Sequence, residues 1–435
     1  MDGAKIREEV TRILGDLIRI DTTNPPGNES DAAVYLKNRF QAEGIEAAIY
    51  ESSPHRGNLV ARLKGNGQLK PLILLSHLDV VGANSSQWSQ APFAGTVSGG
   101  YVWGRGALDM KGMLAMELVS LLHFKRKGQV PKRDIILVAT ADEEAGGEYG
   151  MDWLMDQQIP GLKEAEYVIN EGGEGTIRNG IPVYACQNGE KGLLWVKVTV
   201  KGTPGHASMP SNDNAIAHMG KILNKIRRYK RPMVLSETTR GFLTELAQQK
   251  GISLLSDPTA RDYTLKLFAS NSFRRERSVQ AMLFNTISPT VIKAGDKTNV
   301  LPETCDLTLD CRLLPGETPE HFLEELRKVI SDSKVSLEIL QASLPTESPI
   351  DTGLFKSIRK VVQQVNPEAL VVPYLSPGAT DSRHFRQLGI TAYGFMPIII
   401  SESELQRMHG IDERISLLNL EKGTQILFKV LEEVC

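Results

Sequence analysis

His77, Asp109, Glu144, Glu171 and His409 stand at the ends of apolar runs or in the loops beside them, and an extra carboxylate, Glu143, adjoins the third. Two imidazoles and three carboxylates, one of them shared, suit two adjacent zinc ions, and a spare glutamate suits a hydrolase that must move a proton. His77 and Asp79 are two apart at the end of LILLSHLDV. Alternate strand residues share a face, so Asp79 can accept the second imidazole N–H and fix its tautomer for a metal. Taken alone, the pair reads equally as a strand-end histidine beside a solvated aspartate.

Asp109 lies in GRGALDMKG, a glycine-punctuated loop that runs into a helix. Glycines permit tight turns there, and a carboxylate so placed can bridge two ions; a helix N-cap is the competing reading. ADEEAGGEYG follows the strand-like IILVATA. Ligand sites in open α/β sheets gather beyond the carboxyl ends of strands, so Glu144 can bind metal while Glu143 faces a water; solvated acidic surface is the alternative. Glu171 in YVINEGG repeats the arrangement, and His409 lies in the loop RMHGIDERIS before the last helix. His206, in KGTPGHASMP, is flanked by small residues that let backbone approach a ligand. His55, His123, His218, His321 and His384 have no such setting and read as structural or exposed.

The elements that must position these residues follow from periodicity. Apolar residues Ile6, Val10, Ile13, Leu14 and Leu17 predict an opening helix. A second helix is expected over 31–42, then strands at 46–51, 58–63 and 72–77, a helix over 112–127, a strand at 134–141, a helix over 150–157, and strands at 166–170 and 181–186. Short, nearly continuous apolar strands between helices predict an α/β sheet covered on both faces. From residue 192 the pattern changes: LLWVKVTVKG alternates with period two, as a half-exposed strand does. A helix at 214–229, strands at 286–295 and 305–314, a helix at 318–330 and a strand at 335–340 complete a βαββαβ order, that of a small α+β sheet with two helices on one face. The α/β style then resumes with a helix near 353–365, strands at 369–375 and 391–395, and a final helix over 418–433. The expected organisation is therefore a first domain in two parts, 1–191 and 344–435, interrupted by an inserted domain at 192–343. The polar stretch 231–285 has no clear periodicity.

Composition bounds the function. At 435 residues, 41% apolar, the chain can fill two cores. Fifty basic against 52 acidic residues leave a formal charge of -2, without a basic cluster long enough to track a phosphate backbone, so nucleic acid is not an expected partner. No run approaches the ~20 apolar residues of a membrane span. The four cysteines form no CxxC pair. Cys305 and Cys311 lie too far apart along one strand for a disulfide, and a reducing cytoplasm is the expected compartment.

HLDVV, GRGALDMKG, DEEAGGEYGM, NEGG, GTPGHAS, TNVLPE, CRLLPG, SPGATDSRHF and MHGIDERI, in this order, resemble the zinc aminopeptidase-like hydrolases. That family includes aminoacylases, carboxypeptidase S, glutamate carboxypeptidase, acetylornithine deacetylase and succinyl-diaminopimelate desuccinylase; the wording is most similar to the aminoacylase and carboxypeptidase S branch. The resemblance implies two zinc ions, with cobalt or manganese as substitutes. His77 and Glu171 would hold one and Glu144 and His409 the other, with Asp109 between them. Glu143 would be the general base toward a water shared by the ions, and Asp79 would orient His77. It further implies that the inserted domain is a lid and dimerisation domain. There His206 would stabilise the oxyanion, and Asn299 and Arg312 would contact substrate, as would the backbone at Gly378. A planar guanidinium at Arg312 suits a substrate carboxylate. The expected activity is hydrolysis of an amide in N-acyl amino acids or short peptides. A deacylase of the acetylornithine or succinyl-diaminopimelate type is the nearest alternative, and a silent binding protein on the same fold is disfavoured because the ligand set and the base are complete. A dinucleotide-binding enzyme is weaker still, since GGEG at 172–175 lacks the GxGxxG spacing.

Overall fold

The computed structural model describes residues 2–435. They divide into two compact units. One holds the chain up to Asn188 together with Ser348–Tyr374 and Thr380–Cys435; the other holds Gly189–Glu347 and Leu375–Ala379.

In the first unit a mixed sheet runs in the order Glu46–Glu51, Gly57–Leu63, Ile135–Thr140, Leu72–His77, Tyr167–Asn170, Thr391–Gly394, Ile181–Glu190. Every residue of the two central strands Leu72–His77 and Ile135–Thr140 is buried. The pleat explains why: Leu72, Leu74, Ile135, Leu137 and Ala139 enter one apolar cluster, whereas Ile73, Leu75, Ile136 and Val138 enter another on the opposite face. Helices Gly3–Arg19, Lys111–Arg126 and Leu417–Val434 supply the first cluster, and Met151, Leu154 and Phe385 contribute to the second. Each fully buried Leu or Ile is worth about 1.5 to 3 kcal/mol, so a sheet covered on both faces is the stable solution for such runs.

Strand direction sets the position of the chemistry. Leu72–His77 is parallel to both Ile135–Thr140 and Tyr167–Asn170, with His77 opposite Thr140. Tyr167–Asn170 is in turn parallel to Thr391–Gly394. The residues that follow these strands, Glu143, Glu144 and Glu171, therefore emerge at the same sheet edge as His77.

The second unit contains an antiparallel sheet in the order Thr286–Lys293, Thr304–Leu313, Gly192–Lys201, Val335–Ala342. Leu194, Val196, Val198 and Val200 are fully buried and pack with Met219, Ile222, Phe322 and Leu326 of helices Ala215–Arg228 and Pro319–Ile330. The βαββαβ order thus stands. The stretch from 231 to 285 is not irregular: it holds helices Glu237–Gln249, Pro258–Ser272 and Arg277–Leu283. Each buries only a short apolar set, Phe242, Leu243 and Leu246 in the first, Leu265 and Phe268 in the second, Val279, Met282 and Leu283 in the third, and the first two add caps and a ring cluster. Ser236 Oγ accepts from Thr239 N at 3.2 Å, Asp257 accepts from Ala260 N at 2.7 Å, and the Phe268 and Phe273 rings meet edge-on at 5.5 Å. Lys191 Nζ anchors the end of the set, donating to Phe284 O at 2.8 Å and Ala281 O at 3.1 Å.

A small sheet of Thr96–Ser98, Tyr101–Trp103 and Arg414–Ser416 was also not expected, because three-residue strands carry no readable period. Among the described residues, no helix is long and apolar enough to cross a membrane.

Candidate metal centre

Asp109 is the geometric centre of the first unit's polar cluster. Its Oδ1 lies 3.0 Å from His77 Nε2 and its Oδ2 3.0 Å from His409 Nε2. Outside this bridge, Glu171 Oε2 is 3.5 Å from His77 Nε2, and Glu144 Oε1 is 3.0 Å from His409 Nε2. Two groups that could hold a metal ion result. Oxygens of Asp109 and Glu144 lie with a His77 nitrogen inside a 4.8 Å span, and so do oxygens of Glu143 and Glu171.

Each residue is held there by local structure. His77 ends its strand fully enclosed, and its Nδ1–H donates to the Asp79 backbone carbonyl at 2.9 Å. The Asp79 carboxylate, expected to be the acceptor, is farther away at 3.5 Å. It is committed elsewhere: Oδ1 accepts from Glu143 N and Oδ2 from Glu144 N, both at 3.1 Å. The same residue therefore fixes the His77 tautomer with its main chain and the Glu143–Glu144 turn with its side chain.

Asp109 is not a helix N-cap. Met110 holds that position without a side-chain capping bond, which leaves the Asp109 carboxylate free to face the imidazoles. Its loop is clamped by Glu413, whose carboxylate accepts from the N–H of Leu108 (2.7 Å), Asp109 (3.1 Å) and Gly106 (3.2 Å) and from Arg105 Nη1 (2.6 Å). Arg105 also donates to Gly410 O at 2.8 Å, which ties the His409 turn to the same clamp. Glu413 stood in the sequence only as a neighbour of His409; four donors converging on one carboxylate is a tertiary fact. Glu413→Ala is expected to cost about 3 to 5 kcal/mol in a urea titration, because it strands a buried guanidinium and three loop amides.

Burial, which alone lowers an imidazole, is overcome at His77 by Glu171, Asp109 and Asp79, and its pKa is held well above the usual value. Hydrogen bonds to Asp109 and Glu144 raise His409 to about 10. Burial pushes Glu171 up to about 7 and Glu143 well above the carboxylate range, the Glu171 charge adding to the second shift. Asp109 moves the other way: burial would raise it, but the two imidazoles hold it low. Four carboxylates thus crowd one buried place, and among the described residues the cationic groups paired with them are imidazoles. Such a set of nitrogen and oxygen donors, without thiolate, fits divalent zinc, cobalt or manganese.

His206, Asn299, Arg312 and Gly378 belong to the second unit. His206 is exposed, on a two-residue strand paired with Val300–Leu301. Ser208 N donates to its Nδ1 at 3.2 Å, which leaves the Nε2 edge as the N–H donor. The Asn299 carbonyl accepts from Ala207 N at 3.0 Å beside it. Arg312 has an internal partner as well: its Nε and Nη2 grip Asp310 at 2.8 and 3.1 Å, since residues two apart on a strand share a face. Its remaining edge alone is left for another acceptor. Gly378 N donates to Ser376 Oγ at 3.1 Å.

The chain is similar to known proteins along most of its length. An N-fatty-acyl-amino acid synthase/hydrolase of Xenopus tropicalis is 28% identical over 443 residues, with 98% of this chain and 86% of that protein covered. Aminoacylase-1 of Homo sapiens is 27% identical over 421 residues, covering 95% of this chain and 92% of its own. The crystal structure of a metallo-carboxypeptidase, Sso-CP2 of Sulfolobus solfataricus, matches in fold with a TM-score of 0.72 at 21% identity, over 98% of this chain and 99% of that one. The model of peptidase family M20/M25/M40 matches residues 73–433, most of the length. With its strand-end carboxylates and histidines in order along that match, the chain belongs to peptidase family M20/M25/M40 and is a hydrolase of the peptidase and amidohydrolase class.

Proposed function

We propose that this chain is a di-zinc amidohydrolase that cleaves the amide of N-acyl amino acids, or of short peptides with a free carboxylate beside that amide. The observation that carries the reading is Asp109, whose two oxygens each lie 3.0 Å from a different imidazole. His77 and Glu171 would hold one ion, Glu144 and His409 the other, and Asp109 both. When bound, the ions would supply Lewis acidity toward the scissile carbonyl and would acidify an attacking water.

The protein's own residues do the rest. Glu143 takes the proton of the attacking water and returns it to the leaving nitrogen, and its buried setting makes it a stronger base than a solvated carboxylate. Asp79 holds the turn that carries it. His206, with its Nε2–H edge outward, is the proposed oxyanion donor; Asn299, the open edge of Arg312 and the Gly378 backbone are the proposed substrate contacts. Residues 192–343 would act as an inserted lid, and a homodimer through this domain is proposed on the exposed edge strand Thr286–Lys293, which presents Val291 and Ile292. All four cysteines are unpaired, which supports a reducing compartment such as the cytoplasm.

The substrate class draws on the relatives: one is named for N-fatty-acyl amino acids, another as an aminoacylase, and the structural neighbour as a metallo-carboxypeptidase. Zinc-, cobalt- or manganese-loaded protein should therefore hydrolyse long- or short-chain N-acyl amino acids or carboxyl-terminal dipeptides in a chromatographic assay. Cleavage confined to acylated basic amino acids would replace this reading with the deacylase type. A metal-loaded chain inert toward every amide would leave only a binding role.

A further inference from the structure

The segment Asp21–Gly27, DTTNPPG, holds none of the proposed metal ligands, yet it reaches the turn that bears Glu143 and Glu144. Three bonds lay it beside residues 78–80: Thr22 Oγ1 donates to Leu78 O (2.7 Å), Val80 N to Thr22 O (3.1 Å) and Asn24 N to Val80 O (2.9 Å). They fix where the Asn24 side chain begins. Its Nδ2 then donates to Asp79 Oδ2 at 2.8 Å and to Asp142 Oδ1 at 2.9 Å, spending both hydrogens on two different carboxylates.

Those two carboxylates grip the same turn from opposite ends. Asp79 accepts from the amides of Glu143 and Glu144. Asp142, immediately before Glu143, sits at φ 69°, a left-handed conformation that is uncommon for L residues and that aspartate tolerates better than most. Its carboxylate is held by Asn24, by Arg56 Nη2 at 2.7 Å and by Tyr149 N at 3.1 Å. Asn24, Asp79, Asp142 and Arg56 are all at least nine-tenths buried, so water does not substitute for these bonds. Two anions so close would repel without a donor between them. Asn24 is a neutral group with two hydrogens in the right directions, and Arg56 supplies the charge from the far side.

We propose that Asn24 is a positioning residue for the base: by joining Asp79 to Asp142 it fixes the backbone on both sides of Glu143. The inference rests on the reading of Glu143 as the base. Asn24 touches neither the proposed ligands nor the reacting atoms; it acts through the aim of one carboxylate, and a shift of about 1 Å in such a group costs on the order of 100-fold in rate. Its loss should therefore fall on kcat and not on substrate affinity or metal content.

The test is Asn24→Ala and Asn24→Ser in metal-loaded full-length protein, with kcat, KM, metal per chain and unfolding midpoint measured together. Expected in Asn24→Ala is a fall of about 10- to 100-fold in kcat with KM within about twofold and parent metal content. Asn24→Ser, which restores one of the two bonds, should fall between it and the parent, and it decides the matter alone if the alanine variant does not fold. Parent-like kcat in both, or a loss that disappears when activity is expressed per bound metal, overturns the proposal. Comparison with Glu143→Gln separates the two levels. An active Glu143→Gln sinks the base assignment and this inference together, whereas an inactive Glu143→Gln beside a fully active Asn24→Ala sinks this inference alone.

Discussion

Glu143→Gln should bind metal as the parent chain does and lose turnover by about 100- to 10,000-fold, the contribution of a well-placed proton carrier. The substitution keeps the size of the side chain and removes its basicity. Glu143 offers an oxygen within 4.8 Å of both a His77 nitrogen and a Glu171 oxygen, close enough to act on anything held between them. Unlike Asp109, Glu144 and Glu171, it makes no close pair with an imidazole of the described residues. Burial also raises its affinity for a proton, with the Glu171 charge adding to the shift. A group that is half-buried, unpaired with imidazole and raised in proton affinity is suited to carry a proton, and a group already paired with imidazole is suited to hold a cation. The control follows from this contrast: Glu144→Gln should lose metal as well as activity. Metal analysis beside kcat reads both, and a Glu143→Gln protein with parent turnover would remove the base from the mechanism.

The contrast between Glu143 and Glu144 also shows what a sequence can carry. Both were legible as carboxylates beyond an apolar strand, because strand direction and the rule of carboxyl-end sites follow from local pattern. So were His77, Asp109, Glu171 and His409, and the structure brings these residues into one cluster. The supports were not legible. Glu413 meets a loop some 300 positions earlier in the chain, and Asn24 meets Asp142 across a separation of 118. Nothing in a local window encodes a partner that far away. The helices between 237 and 283 escaped for a different reason: each buries only a few apolar residues over one or two turns, too short a run to show the sustained 3.6-residue period that reveals an amphipathic helix. Arg312 marks a third limit. Its residue type suits a carboxylate, but Asp310 two positions away on the same strand face is one.

One design recurs at both halves of the centre. The Asp109 loop is held by Glu413 and the Glu143–Glu144 turn by Asp79, each a buried carboxylate that accepts several backbone amides. The segments that bear the proposed ligands are largely loops, which by themselves lack fixed geometry; an acceptor inside the protein bonds two or three nearby amides and removes that freedom. Those bonds counter part of the cost of burying each carboxylate, and the frame they make is built from the protein's own groups.

Chelation should abolish turnover while leaving a folded chain with a lower unfolding midpoint, because an ion that binds only the native state adds about 4 kcal/mol at a thousand times its dissociation constant. Readdition of zinc should restore both, and the return should release protons. The sign follows from His409: hydrogen bonds to Asp109 and Glu144 hold it at about 10 in the metal-free protein, so at pH 8 it is protonated. A metal needs the neutral imidazole, so each ion bound at that position must expel a proton, and the apparent affinity should rise with pH until about 10. Glu171, raised to about 7 by burial, adds a smaller release below neutrality. Titrating chelated protein with zinc in weak buffer at pH 8 measures the release directly. Asp109→Asn tests the bridge in the same experiment. The amide removes the anion that both imidazoles share, so metal per chain should fall from two toward zero and the proton release at pH 8 should shrink with it. Full turnover after chelation, or an Asp109→Asn chain that keeps two ions, would show that the carboxylate between the two histidines is not the bridge its geometry describes.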